Sequence, residues 1–129
     1  MDDKKNRLFV TCHSKVAAMD GDKSGVLAVI DAETGKVLAT PPIGAGASGV
    51  VFDSELGVAL AANGKDGTLS VLEETTPGNY QTTQTIKTSV TARHIAFDAK
   101  KHRFFLECNL PSDNGKTFGI IVVGASDSK

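Results

Sequence analysis

Short apolar runs separated by polar, glycine-bearing breaks make up nearly the whole chain, and a helical period is almost absent. Representative runs are Arg7 to Cys12, Gly25 to Ile30, Val58 to Ala62 and Phe118 to Val123. Brief, β-branched runs punctuated by Gly, Asp and Asn are the pattern of strands and turns. Several are apolar at both alternating positions. A strand with one wet face carries polar residues at every second position, so these runs predict sheets packed on both faces. The expected strands are about 7–12, 25–31 and 36–43, then 48–53, 57–62, 67–73 and 80–87, then 93–98, 102–108 and 117–124.

The pattern recurs. Val50-Val51-Phe52-Asp53 returns as Ile95-Ala96-Phe97-Asp98, and four residues after each Asp a turn residue, Gly57 or His102, opens the next strand. Asp2, Asn6 and Arg7-Leu8-Phe9-Val10 form the same unit without its first strand. Gly25 to Asp31 matches Gly67 to Glu73, with a weaker copy at Thr117 to Val123. The period of about 45 to 50 residues is that of four-stranded propeller blades, each of which buries both faces against neighbours. The fold class expected is all-β, a partial β-propeller of about two and a half to three antiparallel blades. Residues 1–129 then form a single partial propeller: blade 1 without its inner strand over about 1–46, blade 2 over about 47–91, and blade 3 without its outer strand over about 92–129. Closed propellers have about four to eight blades. An arc this short leaves sheet faces and strand edges open.

These segments resemble the YVTN-repeat, YncE-like propeller family. Ile30 to Val37 is similar to its V-x-D-x-x-T-G-K-V turn, and Pro42 to Gly46 followed by Gly49 to Asp53 is similar to its P-I-G-x-G…G-V-A-F-D crossing. Asn63 to Leu69 is similar to N-G-x-D-G-T-L, and Ala92 to Asp98 to A-R-x-x-A-x-D. The resemblance spans almost the whole chain and speaks for fold more than function. It implies the C-terminal part of a larger, for example seven-bladed, propeller with upstream blades missing, or copies that assemble into a ring. Family members are often periplasmic or exported. The Trp-Asp ending of WD40 repeats is missing.

Composition narrows the function classes. With 14 basic and 15 acidic residues, no basic excess tracks a phosphate backbone. Trp is absent and Tyr80 is the only tyrosine, a thin platform for stacking single-stranded nucleic acid. The single-stranded DNA binding that the resemblance raises is therefore disfavoured. The N-terminal residues lack the apolar stretch of a signal peptide, and no run is long enough to span a bilayer, so no membrane partner is expected; a removed leader would leave the same picture. Cys12 and Cys108 cannot make a disulfide framework. They read as buried structural thiols, with a mutual disulfide and a reactive thiol as the alternatives.

Several motifs imitate chemistry. Gly44-Ala45-Gly46-Ala47-Ser48-Gly49 fits GxGxxG, but a strand follows where a dinucleotide site needs a helix, so a blade crossing with close backbone approach is expected. Asp20, Asp22 and Ser24 sit at alternating positions like the start of a calcium loop, with Gly25 at the sixth. Asp31 replaces the usual glutamate at position twelve, and a solvated hairpin loop is the competing reading. His13, His94 and His102 share no local metal-ligand spacing, and His102 reads as a solvated turn residue. No catalytic motif and no cofactor signature appears.

Propeller topology brings blade crossings and middle-strand turns to one rim, so His13, Ser48, Asn63, Lys65, Arg93, His94 and Asn109 are the candidate ligand-binding residues. Arg93 and His94 would enter an innermost strand and line the channel. Arg93 suits a carboxylate or phosphate; the competing reading pairs it with an Asp of the next blade. The function expected is a non-catalytic binding module for a small anion, a peptide or a protein. The alternatives are a subunit or fragment of a propeller enzyme (cofactor-linked dehydrogenase or lactonase-like), a single-stranded DNA-binding propeller, and a non-functional fragment.

Overall fold

The computed structural model describes residues 1–13 and 25–125. Among them there is no helix. The strands are β1 (Arg7–His13), β2 (Gly25–Asp31), β3 (Val37–Ala39), β4 (Pro42–Ile43), β5 (Ala47–Asp53), β6 (Val58–Asn63), β7 (Thr68–Thr76), β8 (Asn79–Lys87), β9 (Ile95–Asp98), β10 (Arg103–Ser112) and β11 (Gly115–Gly124). They form three antiparallel sheets: β1-β2-β3 with β4 also on β2, then β5-β6-β7-β8, then β9-β10-β11.

The two-sided apolar pattern has its cause in the second sheet. Strand β6 is buried along almost its whole length. Ala59 and Ala61 point to one side, where they join Leu27 and Ile43 of the first sheet, Leu72, Phe9 and Phe52. Leu60 and Ala62 point to the other, where they join Phe104, Leu106 and Cys108 of the third sheet together with Leu69. The Phe9 and Phe52 rings stack across the first interface with centroids 4.8 Å apart. Short side chains at Ala59, Ala61 and Ala62 let the neighbouring sheets approach closely, while the leucines fill the interdigitating layers.

The turns repeat one device. Asp2, Asp31, Asp53 and Asp98 each accept, on Oδ1, the amides two and three residues ahead, at 2.9 to 3.3 Å. Four residues after each of these aspartates the backbone turns left-handed, at Asn6 (φ 55), Gly35 (φ 73), Gly57 (φ 70) and His102 (φ 49). The aspartate caps the turn and the left-handed residue releases the chain into the next strand. The amides of Thr34 and Glu33 hold the Asp31 carboxyl below its ordinary range.

Three expectations are corrected. The stretch 36–43 is two short strands, β3 and β4, with Pro41, which has no N–H to give the ladder, in the break between them; the Pro41 carbonyl still accepts the Leu27 amide at 2.9 Å. The β10–β11 hairpin is longer than expected, closing at Ser112↔Gly115. Strand β9 begins at Ile95, so Arg93 and His94 precede it. Truncating Leu106, fully buried between the second and third sheets, to alanine should cost about 3 kcal/mol in a denaturant titration.

Candidate functional site

Three connections converge between the second and third sheets: the crossing from β4 to β5, the β6–β7 turn, and the crossing from β8 to β9. The Asp66 carboxylate accepts the Ala45 amide at 2.7 Å, and the Gly64 amide donates to the Gly46 carbonyl at 3.1 Å, which locks the first crossing on the turn. The second crossing is tied to the same turn by Thr88 N–H to Gly67 O and Thr91 N–H to Gly64 O, both at 2.7 Å. Strand β10 joins through the Asn109 amide, which donates to Thr91 Oγ1 at 2.9 Å.

Glycine makes this convergence possible. A Cβ on Gly64 would lie 2.6 Å from Arg93 Cβ, and one on Gly46, which adopts φ +74, would lie 2.7 Å from the Lys65 nitrogen. Gly49 packs under the Arg93 carbonyl. The GxGxxG stretch therefore serves close packing, and its last three residues already belong to strand β5.

The result is a cleft of about 550 Å³ lined by Ser48, Lys65, Thr91, Arg93, Glu107, Asn109 and their neighbours. Four of the seven candidate residues meet here: Ser48, Lys65, Arg93 and Asn109. Among the described residues neither Lys65 nor Arg93 has an acidic partner within ion-pair distance. Among the described residues no aspartate of an adjacent sheet pairs with Arg93. Glu107, the acid in the lining, bonds His94 Nδ1 at 2.5 Å.

The other candidates sit elsewhere. Asn63 is no rim residue: it is fully buried, and its Nδ2 donates to Ser70 Oγ at 2.8 Å and Thr68 Oγ1 at 3.1 Å, while its Oδ1 has no hydrogen-bond partner among the described residues. His94 faces a shallow outer depression with Ala96, Phe105 and Ile120 rather than the cleft. The backbone of His13 ends β1. Asp20, Asp22 and Ser24 lie outside the described residues. Among those described, no group of three or more His, Cys, Asp and Glu is placed to hold a metal. Cys12 and Cys108 are both free thiols; Cys108 is buried at the cleft floor and Cys12 is half-buried.

Two features of the structure escaped the sequence. Thr91 holds φ 83, a left-handed backbone that a β-branched residue adopts only at a cost of about 1–3 kcal/mol. Strain of this kind concentrates at binding sites, and here it aims the Thr91 hydroxyl at the Asn109 amide. Nothing in Val90-Thr91-Ala92 announces it. His102 is not the solvated residue expected. Its Nδ1 bonds Asp53 Oδ2 at 2.6 Å and its Nε2 meets Glu55 at 3.1 Å, joining the third sheet to the second.

The Asp53 hydrogen bond holds the charged form of His102 and raises its pKa above the ordinary 6.5, with the Asp53 and Glu55 charges adding to the effect. A raised folded-state pKa gives stability that is complete below the unfolded value and disappears as pH climbs through the folded one. Thermal midpoints should therefore fall as pH rises above roughly 6.5, and His102→Asn, which tolerates the left-handed turn, should flatten that slope. A Gly64→Ala variant should lose about 1–3 kcal/mol in the same measurement, because the new methyl displaces Arg93. Neither a protein-family model nor a curated protein matches the chain.

Proposed function

We propose that the three sheets are successive blades of an open, YncE-like propeller arc, and that the chain is a non-catalytic binding module whose cleft takes a small carboxylate- or phosphate-bearing ligand. The observation that carries the ligand reading is the pair Lys65 and Arg93, two cations on one cleft without acidic partners among the described residues. Arg93 offers a planar fork for two anion oxygens, and Lys65 a point charge from the opposite connection. Ser48 and Thr91 add hydroxyls and Asn109 an amide, neutral groups that can complete the shell of an oxyanion. The arc reading is supported by the order of the sheets: the second has one face against the first and the other against the third. It is supported also by the Asp-capped turns, which recur at equivalent places.

Binding to the folded state raises the thermal midpoint with ligand concentration. Inorganic phosphate and succinate should each stabilise the protein in a saturable manner, and sodium chloride at matched ionic strength should not. Arg93→Ala should remove the shift, since the guanidinium lies on the surface and its loss leaves the core intact. A flat response to both anions, or an unchanged shift in Arg93→Ala, would refute the site.

A further inference from the structure

The two ends of the three-sheet stack expose apolar faces that match the halves of its own internal joints. On the outer face of the third sheet, Phe118, Ile120 and Val122 are 65%, 56% and 53% exposed on alternate positions of β11. Across the register, Val122 pairs Phe105, and Phe105 pairs Ala96. On the outer face of the first sheet, Leu8 and Val10 of β1 are 37% and 43% exposed beside their partners Ile30 and Ala28, with Val37 on the neighbouring strand. Isolated exposed apolar residues are ordinary; a row along alternate strand positions is an unused packing surface.

The internal joints show what such surfaces receive. Ala96 and Phe105 stand two before and seven after Asp98, as Val51 and Leu60 stand to Asp53. The pairs hold the same register, Ala96↔Phe105 and Val51↔Leu60. Val51 and Leu60 form the surface on which the second sheet receives the third. Leu8 and Val10 stand six and eight after Asp2, as Ala59 and Ala61 stand to Asp53. Ala59 and Ala61 form the opposite surface, on which the second sheet receives the first. One end of the stack thus repeats one half of the joint, with Glu107, bonded to His94, standing where the second sheet has Ala62, and the other end repeats the other half.

We infer that a second copy of this chain covers both ends, its first sheet seated on the third sheet of its partner and its third sheet on the partner's first. The contact is head-to-tail, because each end matches the opposite end and not itself. Head-to-tail contacts close into rings or grow without limit. Two copies supply six sheets, within the range of about four to eight that closed rings of this kind contain. The pairing rests on the arc reading of the three sheets and is independent of any ligand in the cleft.

Light scattering on the full chain tests it. The wild-type protein should have the mass of a dimer. Val10→Glu and Ile120→Lys, on opposite ends, should each be folded by circular dichroism and monomeric. Mixing the two variants should restore a dimer, because one joint then pairs Glu with Lys and the other is wild type on both sides. Leu8→Glu with Val122→Lys is the substitute pair should either variant fail to fold. A monomeric wild type, a dimer that survives Val10→Glu alone, or a mixture that stays monomeric would each overturn the pairing. None of these results bears on whether the second sheet is packed between the first and third, which keeps this failure distinct from failure of the arc.

Discussion

The structure depends on one constraint of the second sheet: along β6 it has no wet face. Its strand β6 reads Val58-Ala59-Leu60-Ala61-Ala62-Asn63, and a strand alternates its side chains between two faces. Hydrophobic burial is satisfied only if a sheet lies on each side, and the first and third sheets do so. Once β6 is enclosed, the rest follows. The connections are pushed to the ends of the strands, the glycines of the first crossing let it lie on the β6–β7 turn, and the cleft forms where that turn meets the crossing from β8 to β9.

Polar groups in the stack are arranged around the same enclosure. Asn63 closes β6 as a buried amide tied to Thr68 and Ser70, replacing water at the end of the core. Asp53 has two tasks. One oxygen caps its own turn through the Glu55 and Leu56 amides, and the other takes the His102 ring from the third sheet. The turn geometry and the joint between sheets are coupled in a single carboxylate. Lys5 and Glu74 likewise pair from the first sheet's leading turn to β7 of the second, and this contact lowers the Glu74 carboxyl below its ordinary range.

Much of this was legible in the residues. Alternation and punctuation place the strands because burial and turn chemistry are local signals: the runs at Gly25 to Asp31 and Val58 to Ala62 are strands, and Asp53 with Gly57 is a turn. Strand limits were less legible. The break at Pro41 splits one expected strand, and Ser112 to Gly115 extends another hairpin, since ladders grow or stop according to their partners. Of the candidate site, the grouping of Ser48, Lys65, Arg93 and Asn109 followed from placing turns and crossings at one end. Asn63 misled, because Asn-Gly at a turn gives no hint that the amide points inward. Thr91 and His102 were hidden for a common reason: the φ of one and the Asp53 bond of the other are imposed by contacts between sheets.

The most direct measurement is nuclear Overhauser contacts between side chains of the second sheet and its two neighbours. The account predicts contacts from the Phe52 ring to the Phe9 ring of the first sheet and, in the same sample, from the Leu60 methyls to the Phe104 ring of the third. A second sheet whose Ala59 and Leu60 methyls both contact the same neighbour, or of which one face shows contacts only to water, would contradict it.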